Sequence, residues 1–224
     1  MHPLPPRFAL KMTTLEAVRR FPDTGMTSVG IQLRSIPPFA LDGSTTSMKT
    51  TRLMNADQLF DLWLSAVGGN SSLLLNIPPS PEGLFAEPDV ESLKGLGSRI
   101  NEFRKALASS CCEVKTSSVN ETAMRLIDGN QDTYWSPSTD DVAPAITLTF
   151  PQLTTINAVV VEEAIECGQR IEHMRVTGML SDGTECVLGQ FGTVGYRRIL
   201  RFDDVEVSSV TLHVDDSITP MIQP

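Results

Sequence analysis

Ile146-Thr147-Leu148-Thr149-Phe150 alternates apolar and polar side chains with a period of two, and Ile156-Asn157-Ala158-Val159-Val160-Val161 follows as an apolar, largely β-branched run. Alternation of this kind puts one face of an extended chain in a core and the other in water. Working outward, further strand candidates lie at 171–178, 185–188, 199–202 and 209–214, with turn signals such as Ser181-Asp182-Gly183 between them. Short strands at these intervals predict an antiparallel β-sandwich over residues 110–224.

Upstream, residues 51–109 have a different texture. Asn55 followed by Gln58 predicts a capped helix start, each side chain satisfying a free backbone donor. Leu59, Phe60, Leu62, Trp63, Leu64 and Val67 form its apolar face, and Gly68-Gly69 ends it. Ser72-Leu73-Leu74-Leu75-Asn76-Ile77 reads as a strand buried on both faces, as in a parallel sheet. Pro78 to Gly83 makes a stiff loop. Pro88 suits the first turn of a second helix, with Asp89 and Glu91 near its positive end. Val90, Leu93, Leu96, Gly97, Ile100, Phe103 and Leu107 give that helix one apolar stripe. Trp63 is expected in the core, and Glu82 reads as a solvated loop charge. Residues 1–50 are proline-rich and polar, an irregular lead-in with one short helix expected near 14–20. The chain therefore divides into an α/β unit and an all-β unit.

The 224 residues carry a formal net charge of −9 and a pI near 4.8, so a phosphate backbone is repelled and nucleic acid is excluded as a partner. No apolar run reaches the roughly 18 residues of a membrane helix. Prolines at 3, 5 and 6 stand where a signal peptide carries its apolar stretch, so no secretion signal is read. Cys111, Cys112, Cys167 and Cys186 form no CxxC pair, and a structural zinc site is not expected. Their disulfide pairing and the redox compartment stay open.

Two stretches resemble known families. Gly69-Asn70-Ser71-Ser72-Leu73-Leu74-Leu75-Asn76-Ile77-Pro78-Pro79, followed by Gly83-Leu84, Asp89-Val90, Leu93 and Leu96-Gly97, resembles the closing part of the catalytic barrel of α-L-fucosidases, glycoside hydrolase family 29. The likeness covers residues 50–107. Asp128-Gly129-Asn130-Gln131-Asp132-Thr133-Tyr134-Trp135-Ser136 resembles the signature of the coagulation factor 5/8 type C, or discoidin, domain, which overlaps with galactose-type carbohydrate-binding modules. Val210 to Val214 and Thr219 to Ile222 are similar to its final strands. Together the resemblances imply the last helix-strand-helix of a TIM-type α/β barrel, followed by an all-β discoidin-like jelly-roll sandwich truncated at its C-terminus.

The fucosidase resemblance implies hydrolysis of terminal α-L-fucosyl residues by a retaining mechanism, in which two carboxyl groups stand about 5–5.5 Å apart. In that family both lie upstream of the matching segment. No family-like context surrounds Asp23 or Asp42, so no catalytic residue is assigned and this chain alone is expected to be inactive. A complete barrel needs about 250 residues, and far fewer precede the sandwich. In a complete barrel Asn76 would border the sugar pocket; otherwise it caps backbone at the strand end. The discoidin resemblance implies a structural Ca²⁺ held by Asp128, Asn130 and Thr133, with a plain Asp-Gly turn as the alternative, because the glutamate expected in a last strand is missing before Pro224. No catalytic cofactor is implied. Trp135 is expected in the core rather than on a sugar. Of the two glycosylation sequons, at Asn70 and Asn120, only Asn120 is expected to be an acceptor, given secretion. Fucosylated or galactose-containing glycans are the implied partners, and an extracellular or vacuolar location follows by family analogy. A non-catalytic carbohydrate-binding module and a truncated gene product are the rival readings.

Overall fold

A computed structural model describes residues 13–16, 31–32, 54–77, 83–108, 113–130, 132–165 and 168–218. In chain order these form strands β1 (Thr13–Glu16) and β2 (Ile31–Gln32), helix α1 (Ala56–Gly68), β3 (Leu75–Asn76), helix α2 (Glu87–Ala108), β4 (Glu113–Thr116), a 3₁₀ helix (Asn120–Leu126), β5 (Ala145–Val161), β6 (Ile171–Met179), β7 (Glu185–Phe191) and β8 (Arg198–Ser217). Residues 14–16, expected to begin a short helix, instead run as a strand antiparallel to β5. The β-branched pair Thr13-Thr14 suits an extended chain, and β5 offers the ladder.

Among the described residues one six-stranded sheet runs in the order β1-β5-β8-β6-β7, with β4 also paired to β5. Every pairing in it is antiparallel. The sequence predicted separate strands at 146–150 and 156–161, and again at 199–202 and 209–214. Each pair is a single long strand. The apparent gaps are irregularities in the β5–β8 ladder, between Thr149 and Thr154 and between Ile156 and Ala158. Pro151 lies in the first of these, where a residue without an N–H costs no ladder bond. Such bulges bend a strand. The bent sheet wraps a core containing Val114, Leu126, Trp135, Leu148, Val159, Met174 and Leu212, all buried. Ser181-Asp182-Gly183 is the expected tight turn: Gly183 has φ +82°, and Asp182 Oδ1 accepts from the Thr184 N–H at 2.9 Å.

Residues 156–161 of β5 are buried without exception. Ile156, Val159 and Val161 face the sandwich core. Ala158 and Val160 face the opposite way, into a second cluster with Leu59, Phe60, Leu64, Leu96 and Phe103 of the two helices. The helices therefore lie on the back of the sheet. Asn157, the polar side chain within this run, donates from its side-chain nitrogen to Asp204 Oδ1 at 3.0 Å.

Helix α1 begins as its sequence predicts. The Gln58 N–H donates to Asn55 Oδ1 at 2.9 Å, and the Asn55 N–H donates to Gln58 Oε1 at 3.1 Å. Trp63 packs in the helix layer, stacked on Phe60 with ring centroids 5.9 Å apart and edge-on to Phe103 at 5.7 Å. In α2 the expected stripe holds at Leu96, Ile100 and Phe103, but Gly97 is exposed, and the side chain of Leu107 lies outside the described residues. Arg99 and Asp57 form an ion pair between the helices. Asp61 of α1 faces Arg201 of β8 at 3.6 Å. Burial pushes its carboxyl above the usual range, against the lowering pull of Arg201 and helped by the negative charge of Asp57.

The segment 72–77 corrects one expectation. It pairs in parallel through β3, Leu75 with Ile31 and Asn76 with Gln32, but it is not buried on both faces. Burial alternates along it, and Leu74 is 74% exposed. Leu75 and Ile77 pack on the helix cluster, which covers one face only. The double burial expected here belongs to β5. Glu82 and the loop 78–82 lie outside the described residues, as do Cys111, Cys112, Cys167 and 219–222; Cys186 is a free, half-buried thiol on β7.

The two helices touch closely at Gly95, where an added Cβ would stand 2.5 Å from the Ala56 Cβ. Gly95→Leu is expected to force α1 and α2 apart and cost roughly 1–3 kcal/mol, measured as a lower urea midpoint at unchanged slope. Gly97→Leu, at an exposed position two residues on with open space around it, is the control and should be no less stable than the parent, gaining up to about 1 kcal/mol of helix propensity.

Candidate functional site at the loop ends of the sandwich

The sequence singled out the loop 128–133, and the structure brings its three named residues together. The Asn130 N–H donates to Asp128 Oδ1 at 2.8 Å, and the Thr133 hydroxyl donates to Asp128 Oδ2 at 2.6 Å. The Thr133 hydroxyl also lies 3.2 Å from the Asn130 carbonyl oxygen, and Asn130 Oδ1 accepts from the Asp132 N–H at 3.0 Å. Gly129 supplies the left-handed turn at φ +75°. A carboxylate, an amide oxygen and a hydroxyl are the donors a hard cation takes. Both Asp128 oxygens already accept bonds within the loop, so the loop also closes as a plain Asp-Gly turn. Among the described residues no group of three or more His, Cys, Asp or Glu side chains stands ready to hold a metal ion.

Trp135, next in the chain, is fully buried, and its Nε1–H donates to the Ser118 carbonyl at 3.0 Å. It anchors the loop to the core and offers no face to a sugar. Ser117 and Ser118 in turn donate through their hydroxyls to Asp141. Burial pushes the Asp141 carboxyl up, but these two hydroxyls and the Ala143 N–H outweigh it and hold the group below its ordinary value. Asn120 is exposed at the start of the 3₁₀ helix, its Oδ1 accepting from the Thr116 N–H at 3.0 Å. Asn76 is exposed on β3 in the helix layer, and no element of the 128–133 loop touches its strand through the pairing ladder.

A second constellation escaped the sequence reading. Glu163 is 4% exposed. Its Oε1 accepts from the N–H groups of Arg170 and Ile171 at 2.6 and 3.0 Å, and its Oε2 from the Gly195 N–H at 3.1 Å. The Glu163 N–H donates back to the Gly195 carbonyl at 3.0 Å. Asn70, at φ +62° just past α1, accepts from the Tyr196 N–H through Oδ1 at 2.8 Å. A Cβ on Gly195, whose φ is +64°, would stand 2.1 Å from Asn70 Nδ2, so only glycine lets the two segments meet. Tyr196 itself is 57% exposed. The Arg197 guanidinium lies 6.0 Å from its ring centroid and forms an ion pair with Glu162. The signal available in the sequence was Gly195-Tyr196-Arg197-Arg198, an aromatic after a glycine beside two cations, which reads as an ordinary basic pair until Asn70 and Glu163 are brought to it.

Three backbone donors on one buried carboxylate make Glu163 a tie for three segments. Hydrogen bonds to a charged group contribute about 1.5–3 kcal/mol each. Glu163→Gln keeps the shape but turns one acceptor into a donor, and a stability loss of about 2–3 kcal/mol is expected in urea unfolding. Unchanged stability would mean that water replaces the lost bonds.

The F5/8 type C domain model matches residues 106–217. Alpha-L-fucosidase 1 of Arabidopsis thaliana is 32% identical over 177 residues, which are 75% of this chain and 35% of that protein. The crystal structure of SpGH29 superposes with a TM-score of 0.70 at 26% identity, covering 83% of this chain and 40% of that one. A Ruminococcus gnavus GH29 fucosidase solved with fucose gives a TM-score of 0.70 at 28% identity, covering 77% of this chain and 36% of that one. The chain thus spans about a third of the length of the curated relative it matches. A fold of bent antiparallel sheet around Trp135, closed by the 128–133 loop, and a family match over half the chain agree: this chain belongs to the F5/8 type C domain family, and its relatives are α-L-fucosidases of glycoside hydrolase family 29.

Proposed function

We propose that this chain is the glycan-recognising, C-terminal portion of an α-L-fucosidase-type protein, with α1, β3 and α2 as the closing helix-strand-helix of a TIM-type barrel. One observation carries the reading. The matches to fucosidases run over 177 residues and over as much as 83% of the chain, further than the 106–217 domain, so they extend into the helix layer. The parallel pairing of β2 with β3 supports a barrel origin for that layer, since barrel strands are parallel. The exposed Leu74, Leu84 and Phe85 are side chains that neighbouring barrel elements would cover.

Cleaving a fucoside with retention needs a nucleophilic carboxylate and a carboxylic acid about 5–5.5 Å apart across the anomeric carbon. In the family these precede the segment that matches here, so this chain contributes binding and scaffold and leaves the bond-breaking carboxylates to other residues. Asn76, exposed at the end of β3, would border the sugar pocket, as residues ending barrel strands do. Asp128, Asn130 and Thr133 are the residues that would hold a structural calcium ion, which would stiffen the loop and supply no reaction chemistry. The partners are fucosylated or galactose-containing glycans. Asn120 is exposed and would be the glycosylation acceptor in an extracellular or vacuolar protein.

Incubated with 4-nitrophenyl α-L-fucoside, the pure 224-residue chain is expected to release no nitrophenol above buffer, while the sugar 2′-fucosyllactose, which carries both fucose and galactose, binds saturably. Turnover that survives purification to a single mass would place catalytic carboxylates in this chain. A flat titration would remove the glycan reading.

A further inference from the structure

Tyr196 is exposed, yet its backbone is held by hydrogen bonds on either side of Gly195. Its N–H donates to Asn70, and the preceding Gly195 exchanges two bonds with the buried Glu163. Gly195 is itself buried against the Asn70 side chain. Single exposed apolar side chains are ordinary, and Val142 at 96% is one such. Tyr196 differs in being displayed from a fixed backbone, with a charged pair fixed beside it. Arg197 Nε donates to Glu162 Oε1 at 2.6 Å, and both of these side chains are mostly covered. The ion pair therefore holds the guanidinium in place, 6.0 Å from the ring centroid.

We propose that Tyr196, with the Arg197–Glu162 pair beside it, is a sugar-binding subsite that takes a neutral pyranose ring of a glycan. The inference rests on the glycan reading above and deepens it by naming the site. A pyranose has an apolar face of axial C–H groups and an edge of hydroxyls. The first fits the flat, exposed phenol ring, which is large and loses little side-chain entropy on binding. The second fits a guanidinium, which only donates, and a carboxylate, which only accepts. Since the loop is preorganised by Glu163 and Asn70, little ordering cost falls on the complex. A neutral sugar also suits a chain of net charge −9, which an anionic ligand would approach against repulsion.

The test is calorimetric titration of the full chain with 2′-fucosyllactose, comparing the parent, Tyr196→Phe and Tyr196→Ala. Neither substitution touches the backbone N–H that holds the loop, so melting temperatures should agree and serve as the folding control. Binding is expected to persist within about threefold in Tyr196→Phe, which keeps the ring face, and to weaken at least about tenfold in Tyr196→Ala. Equal affinity of Tyr196→Ala and the parent would overturn the subsite while leaving the glycan reading intact. No binding by the parent would overturn both.

Discussion

The structure depends on β5 being covered on both sides. Ile156, Val159 and Val161 are buried in the sandwich while Ala158 and Val160 are buried under the helices. A strand with no wet face cannot alternate polar and apolar residues, and 156–161 accordingly reads as a nearly unbroken apolar run. Burying a valine or isoleucine side chain contributes about 1.5–3 kcal/mol, so stripping the helices from Val160 would forfeit stabilisation that the sandwich alone does not replace. The helix layer is in this sense the second wall of the sheet.

At the same junction two polar side chains, the buried Glu163 and the exposed Asn70, hold backbone N–H groups. Glu163 gathers three backbone N–H groups, two from Arg170 and Ile171 where β6 begins and one from Gly195 in the turn before β8. Asn70 does the same for Tyr196 where α1 meets the sandwich, and the isolated bridge from Gly69 to Arg198 lies beside it. Gly68, whose added Cβ would stand 2.7 Å from Ile199, lets the end of α1 sit against β8. Helix layer and sandwich are joined by backbone contacts at one end and by side-chain packing along β5. A loop fixed this firmly can hold a side chain out to solvent in one orientation, which is what recognition of a rigid sugar requires.

Much of this was legible in the sequence because it is local. The Asn55–Gln58 capping box, the Asp182-Gly183 turn and the core placement of Trp63 and Trp135 follow from short spacing and residue type, and the structure has each of them. Length was harder. A proline and three exposed residues in the middle of β5 look like a turn, and only the partner strand reveals that 145–161 continues across a bulge. Burial was harder still. Leu73-Leu74-Leu75 is more apolar than many buried strands, yet Leu74 faces outward, because what covers a strand is decided by distant segments and not by its own composition. The Glu163–Gly195 and Asn70–Tyr196 ties join residues 32 and 126 positions apart, and no spacing rule reaches that far.

The most direct test of the account is whether the helix layer and the sandwich unfold together. In a Trp63→Phe chain, Trp135 fluorescence reports the sandwich alone, and helical circular dichroism reports mainly α1 and α2. Shared burial of β5 predicts that the two signals are lost in one urea transition with a common midpoint. Loss of the helical signal at lower urea, with Trp135 still buried, would contradict it and make the helices a dispensable attachment.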